Sequence, residues 1–595
     1  MTWYENSVFY HIYPLGMLGA EKQNDYKTVT HRLPELNKWM PYFKEVGINA
    51  IYIGPLFESV GHGYETTDYK KLDGRLGDNK DLKEFVANCH KEGIKVIFDG
   101  VFNHVGRDFF AFKDLKEKRE GSAYRDWFLN VNFGGNNEYN DGFSYDNWGG
   151  YNLLVKLNQR NPAVRDYILD VIRFWVSEFD VDGIRLDAAD VLDFDFMKAL
   201  RGLANVVKPD FWLMGEVIHG DYTRWANDGT LHSVTNYTLH KALYSGHNDH
   251  NYFEIAHTVN RLNDMGLNRP DGLKLYNFVD NHDVERIYTK LTNKANYCPV
   301  HVLLFTLPGI PSMYYGSEMG IEGKKEKWSD DSLRPALDLD KCMGELKTNK
   351  CIELVKRLCE IRKSNPVLAN GDYKQVVLTN RQYAFTRNTG DETALVVVNN
   401  DENGANVSGG GVRDGEYIGM LTGSKLTISG GGFSVNLPAN SGDVFVQANG
   451  KKETSMPESV GFKVEKAADV AKEVANAEVK VEVKQDNASE VKAVAEKVEQ
   501  VANAKKPLNA VKKTGESPKA ENNAADRFNL EDKYACIDTE EIKARSDYDS
   551  MSIEELQVAI LMKMAGNGPV NEQMVKTVMD NVYLDSLKNW VKSFG

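Results

Sequence analysis

The 595-residue chain predicts an α/β protein organised on a (β/α)8 (TIM) barrel. A small excursion domain follows the third strand. An antiparallel β domain, a disordered linker and a small helical module come after the barrel. Three observations carry the prediction. Over residues 9–361, short near-continuous apolar runs alternate with amphipathic segments, as in strands covered by helices on both faces. Polar residues recur at the C-terminal tips of those runs, the end of a parallel barrel where catalytic groups gather. From residue 372 the texture changes to short alternating runs between Gly-rich turns.

Residues 9–13 make the first strand, ended by Pro14. A helix over 36–46 stops at Gly47, and the run 48–53 is a second strand closed by Gly54-Pro55. Leu82, Phe85, Val86 and Cys89 recur at helical spacing before Gly93, and 94–98 is the third strand. The next unit is delayed. Residues 105–160 are rich in aromatics, Gly and Asn, too long for an ordinary βα loop, and form the excursion domain. Asn161 caps the returning helix and Pro162 takes its first position, with Val164, Ile168, Val171, Ile172 and Trp175 on the buried stripe. The fourth strand, in 181–187, ends in polar residues. Its Arg185 and Asp187 are two apart and share a face; alone, such a pair reads first as a structural buried ion pair. Further strands are 211–216, 273–279 and 310–315, and a last helix at 352–361 ends before Asn365-Pro366. That makes about eight repeats, in a barrel enlarged by its insertions.

The barrel domain therefore spans 1–368, including the excursion, and the β domain 369–448. Residues 449–525 are mostly Ala, Lys, Glu, Val and Asn with almost no aromatics; this composition buries little and reads as a low-complexity linker. Aromatics and Met return in 526–595, where the capping box Ser552-Ile553-Glu554-Glu555 precedes Leu556, Ile560, Leu561 and Met564. This is a helical module of unknown function, either a solubility tail or a docking element for a protein partner.

A net charge of −14 argues against nucleic acid or an anionic membrane as the main partner. The six cysteines show no CxxC pair and no zinc spacing, and most lie at apolar helical positions as buried free thiols. No secretory signal opens the chain and no apolar run reaches spanning length. The expectation is a cytoplasmic protein with reduced cysteines and no membrane association.

Four strand tips carry the chemistry: 99–104 after the third strand, Arg185 and Asp187 on the fourth, Glu216 on the fifth, His282 and Asp283 after the seventh. Singly, each reads as a satisfied buried polar group. Together, convergent carboxylates raise one another's cost of ionising, so that one keeps its proton at neutral pH. Paired carboxylates of this kind perform glycoside hydrolysis.

The motifs DxxxNH at 99–104, GxRxD at 183–187, Gly215-Glu216 and FxxNHD at 278–283 resemble, in order, the four signature regions of the α-amylase superfamily of retaining glycoside hydrolases. The resemblance covers 1–448. It implies that Asp187 is the nucleophile and that Arg185 holds it ionised and oriented. Glu216 is implied as general acid and then base, about 5–5.5 Å from Asp187. Asp283 is implied to accept hydrogen bonds from the sugar 2- and 3-hydroxyls, and His104 and His282 to bond sugar hydroxyls. Gly61-His62-Gly63-Tyr64 resembles the loop whose tyrosine stacks on the same sugar, which makes Tyr64 the platform. Asp68 braces that loop.

Two departures from the pattern bear on metal and subfamily. Ala189-Asp190 stand where many calcium-dependent members carry Lys-His. Asn103 matches a calcium ligand of the superfamily, but its histidine partner is missing and the roughly six to eight oxygens that calcium needs are not assembled. Calcium stays open, no residue is assigned as a metal ligand, and no other cofactor is expected. Leu154-Val155-Lys156-Leu157-Asn158 resembles the MPKLN segment of the neopullulanase and cyclomaltodextrinase group, and Val217-Ile218-His219 after Glu216 points the same way. That group usually carries an N-terminal β domain through which it dimerises. This chain starts directly with the first strand, so that mode of dimerisation is not assumed. The resemblance implies hydrolysis of α-1,4 bonds in maltodextrins by double displacement. The alternatives are α-glucan transglycosylation and α-1,6-glucosidase activity. A non-catalytic carbohydrate-binding relative is disfavoured, because Asp187, Glu216 and Asp283 are all present.

Overall fold

The computed structural model describes residues 2–327, 329–448, 556–560 and 563. The chain divides into two units, 1–479 and 480–595. In the second, residues 556–560 and 563 are helical; the expected linker and the rest of the expected helical module lie outside the described residues.

Eight parallel strands form one sheet: β1 (Phe9–Ile12), β2 (Ala50–Ile53), β3 (Lys95–Gly100), β4 (Gly183–Leu186), β5 (Trp212–Gly215), β6 (Ser233–Val234), β7 (Tyr276–Asn277) and β8 (Ile310–Tyr314). Their order is β6-β5-β4-β3-β2-β1-β8-β7, with Phe9 of β1 opposite Ser312 of β8. The cylinder closes through a parallel bridge between Thr235 and Tyr276, where the Asn236 N–H donates to the Tyr276 carbonyl at 2.9 Å. The barrel and its winding match the sequence expectation. The seventh strand, expected over 273–279, is only two residues long, and the sixth lies where no apolar run marks it.

Side chains alternate along every strand. Outward residues such as Tyr10, Ile51, Val96, Phe98 and Ile184 pack with the surrounding helices in the main core. Inward residues Phe9, Ala50, Ile97, Trp212, Tyr276 and Ile310 fill the lower barrel, where Tyr4 stacks on Trp212 at 5.2 Å. Gly183 lets the β5 backbone come close: a Cβ there would stand 2.5 Å from the Trp212 carbonyl oxygen. Two residues further along, the inward positions become polar: His11, Tyr52, Asp99 and Arg185, with Asp99 directly opposite Arg185 in the β3–β4 register.

The helix Pro162–Phe179 delivers the chain to β4. The Asn161 side chain accepts from the Ala163 N–H at 2.9 Å, and Trp175 on the buried face stacks on Phe57 at 4.5 Å. The excursion between β3 and β4 holds the helix Phe110–Lys118 and a three-stranded sheet of His104–Val105, Tyr151–Lys156 and Asn147–Trp148. Beyond the barrel, a six-stranded sheet from Asp372–Leu378 to Ser441–Gln447 faces the antiparallel pair Ala405–Gly409 and Phe433–Leu437 across a core that includes Leu395, Val397, Val435 and Phe445. Its other face joins the barrel core through Phe385, Val396, Val398 and Val444.

Two fully buried guanidiniums sit at this junction. Arg387 donates to the carbonyls of Thr306 at 2.7 Å, Leu368 at 2.6 Å and Gly371 at 2.8 Å. Arg362 donates to those of Phe305 at 3.1 Å and Gly309 at 2.7 Å. Burial pushes both down to about 9.

Candidate active site

The polar tips expected from the sequence converge at the C-terminal mouth of the barrel. Arg185 points inward from β4 and is 2% exposed. Its Nη1 donates to Asp99 Oδ1 at 2.9 Å and to Asp187 Oδ1 at 2.9 Å, while its Nη2 pairs with Glu216 Oε2 at 2.8 Å. One cation thus stands among three carboxylates from β3, β4 and β5. Burial alone would push its proton off, but Asp99 and Glu216 outweigh burial and hold the guanidinium charged. Asp99 also accepts from the hydroxyls of Tyr52 at 2.9 Å and Tyr64 at 3.1 Å.

Asp187 follows β4 directly. Burial pushes its carboxyl well above the ordinary range; Arg185 opposes this, and Glu216, Asp99 and Asp283 add to it. Ala188, next in the chain, is left-handed at φ 45° and ψ 44°, a conformation uncommon for a residue with a Cβ. That turn aims the Ala188 N–H at Glu216 Oε2, which it meets at 3.1 Å. Glu216 Oε2 therefore accepts from two donors. Oε1 faces the Tyr237 hydroxyl at 3.3 Å, and that hydroxyl accepts from Asn281 Nδ2 at 3.1 Å.

Across the mouth, Asp283 keeps a side chain 37% exposed, bound by Arg334 Nη2 at 3.0 Å and facing His282 Nε2 at 3.1 Å. Burial raises its carboxyl, but His282, Arg334 and Arg185 outweigh burial and hold it well below the ordinary range. The His282 Nε2 also meets the Tyr64 hydroxyl, and the Tyr64 and His282 rings lie parallel at 5.5 Å. Burial pushes the Tyr64 hydroxyl well up. His104 is 1% exposed, pushed down to about 3 by burial, and parallel to the Trp148 ring at 6.5 Å. Its buried Nε2 has no protein partner among the described residues.

Two grooves open from this mouth. One of about 610 Å³ is lined by Glu216, His219, Tyr237, Tyr244 and Asp283. The other, of about 1050 Å³, is lined by Tyr13, Leu15, His62, Tyr151, Leu153 and Arg334. Lys325 lines both and donates to the Asp283 carbonyl at 2.7 Å.

All seven residues singled out from the sequence, Tyr64, His104, Arg185, Asp187, Glu216, His282 and Asp283, thus lie at one end of the barrel. Sequence reasoning missed Arg334, Tyr237 and Lys325. Arg334 and Lys325 lie in the irregular segment after β8 and carry no local pattern; Tyr237 opens the helix Tyr237–Asn248 and reads as core. Asp68, in Thr66–Leu72, accepts from the Lys70 N–H at 2.8 Å, within its own strand.

Asn103, which matches a calcium ligand of the superfamily, lies in the segment after β3. Its carbonyl accepts from the Leu157 N–H at 3.0 Å, leaving one buried side-chain oxygen, Oδ1, without a partner. Among the described residues, the one trio of carboxylate or imidazole groups close enough to share a cation is His31, Asp78 and Asp81, and Asp78 and Asp81 there form the capping box of the helix Asn79–Lys91. Among the described residues no helix is long and apolar enough to cross a membrane, and Cys89, Cys298, Cys342, Cys351 and Cys359 are free and buried.

Comparison with known proteins gives the same picture. A model of the alpha amylase catalytic domain matches residues 32–344. A maltogenic alpha-amylase of Bacillus acidopullulyticus is 31% identical over 67% of this chain and 70% of its own. A cyclomaltodextrinase of Thermoanaerobacter pseudethanolicus is 32% identical over 67% of this chain and 71% of its own. Among solved structures, an acarbose-soaked debranching enzyme of Nostoc punctiforme is 26% identical, with a TM-score of 0.62 over 74% of this chain and 98% of its own. With its signature residues gathered at the mouth of an eight-stranded barrel, the chain belongs to the α-amylase family of glycoside hydrolases.

Proposed function

We propose that the enzyme cleaves α-1,4-glucosidic bonds of maltodextrins by retaining double displacement, with Asp187 as nucleophile and Glu216 as acid and base. The observation that carries this reading is the Arg185 fork, which holds Asp187 on one nitrogen and Glu216 on the other. The two carboxylates are therefore one guanidinium apart, within reach of a single glycosidic bond.

Three carboxylates around one cation favour retaining a proton on the set. Two donors occupy Glu216 Oε2, so Oε1, which faces the Tyr237 hydroxyl, is the oxygen through which the general acid gives its proton. From there it passes to the leaving oxygen while Asp187, its charge steadied by Arg185, attacks the anomeric carbon. Glu216 then takes a proton from the water that releases the sugar. Asp283, held ionised by His282 and Arg334, is suited to accept two sugar hydroxyls and stabilise the positive charge that develops on the ring. The partner-free His104 Nε2 is left for a further hydroxyl, and the Tyr64 ring for the sugar face. Free buried thiols suit a reducing cytoplasm.

Asp187→Asn tests the assignment: it should cost at least about a thousandfold in kcat on maltoheptaose with the melting temperature unchanged. A variant that keeps most of its activity overturns it. Products from maltoheptaose and pullulan separate α-1,4 from α-1,6 cleavage and hydrolysis from transfer.

A further inference from the structure

We propose that the hairpin tip Trp148-Gly149-Gly150-Tyr151 is a sugar-binding rim, on which Tyr151 stacks against a glucosyl unit remote from the cleaved bond and sets chain-length preference. The proposal rests on the α-glucan reading above. In that reading the leaving group departs past Glu216, which lines the smaller groove. The larger groove is lined by Arg334, the partner of Asp283, and not by Glu216, which assigns it to the glycone end of the chain.

Tyr151 lines that larger groove and is 65% exposed. A single exposed aromatic is ordinary, but this one is presented by a built turn. Gly149 at φ 63° and Gly150 at φ 83° are both left-handed, the requirement of a two-residue type I′ hairpin. The turn sets Trp148 opposite Tyr151 in the ladder, which puts the two rings on one face. Trp148 lies parallel to His104 at the barrel mouth, so flat rings run from the cleavage point to the groove rim. Leu153, two residues on and on the same face as Tyr151, continues the apolar wall in the groove. An aromatic and apolar wall rimmed by polar side chains such as Lys22, Gln23 and Asp330 matches a pyranose, apolar on its faces and hydroxylated at its edge.

The test is steady-state kinetics of Tyr151→Ala and Tyr151→Phe on maltotriose and maltoheptaose. Tyr151→Ala should raise KM for maltoheptaose roughly three- to tenfold with kcat unchanged, and leave maltotriose as in the wild type. Tyr151→Phe should behave as wild type on both, because stacking needs no hydroxyl. An unchanged ratio of the two substrates in Tyr151→Ala, whether both fall equally or neither falls, overturns the platform alone. Failure of the wild type to turn over either sugar overturns the glucan reading and the platform with it.

Discussion

Asp182 and Asp187 flank one strand, β4, and stand at opposite ends of the barrel. Asp182, at the base, is 2% exposed and gathers His90 Nε2 at 2.7 Å, Lys95 Nζ at 2.9 Å, the Val96 N–H at 2.9 Å and Lys208 Nζ at 3.0 Å. Asp187, at the mouth, has Arg185 and three neighbouring carboxylates instead. The same side chain is thus satisfied at one end and crowded at the other, as a barrel that stabilises from its base and reacts at its mouth requires.

For Asp182→Asn we expect a loss of about 3 kcal/mol in stability, because Lys95, Lys208, His90 and the Val96 N–H lose a buried partner, with little change in kcat on maltoheptaose. Burial raises the Asp182 carboxyl, but His90, the Val96 N–H, Lys95 and Lys208 outweigh burial and lower it. Its contribution is therefore full above the unfolded value of about 3.9 and fades as pH falls below it. Urea melts of wild type and variant should differ at pH 7 and draw together at pH 3; a gap that widens on acidification contradicts this account.

The acid limb of kcat/KM should lie above the ordinary aspartate range, since Asp187 must be ionised to attack and burial raises it. Asp283→Asn removes a neighbouring charge, held ionised, that raises Asp187 further. With an aryl maltoside whose leaving group needs no acid, the limb of that variant should move to lower pH. No movement, or movement upward, means that Asp187 is not the group titrating.

Ala188 offers a test of the backbone itself. Ala188→Gly relieves the left-handed strain, so stability should stay within about 1 kcal/mol and kcat near wild type. Ala188→Val places a β-branched side chain there, with an expected cost of about 1–3 kcal/mol. The N–H that meets Glu216 should also shift, lowering kcat by roughly tenfold or more. A valine variant with normal turnover would show that this hydrogen bond is dispensable.

Treatment with a chelator should leave both the melting temperature and kcat unchanged, because Asn103 itself offers one unengaged side-chain oxygen where calcium needs roughly six to eight. A melting temperature that falls in chelator and returns with calcium refutes this.

The barrel and the site were legible in the sequence to different depths, for physical reasons. Strands buried on both faces are continuous apolar runs, so most of the barrel strands announce themselves. β6 does not: Ser233 and Val234 need only two residues to bridge their neighbours, too short for any pattern. The core site residues could be read because each sits at a strand tip where polarity interrupts an apolar run. Arg334 sits on an irregular segment, and its partner Asp283 is 51 residues away, a pairing that only the folded chain creates. The left-handed Ala188 was likewise invisible, since alanine carries no sign of a strained turn.

The two charges at the junction of barrel and sheet have a consequence for how the protein can be divided. Arg387 comes from the sheet, yet two of its acceptors, Thr306 and Leu368, belong to the helical ring of the barrel. Cutting before Asp372 would strip those peptide oxygens of their guanidinium donor and open to water the apolar barrel surface that Phe385, Val396, Val398 and Val444 cover. A fragment ending there is expected to lose stability, so barrel and sheet are best expressed together.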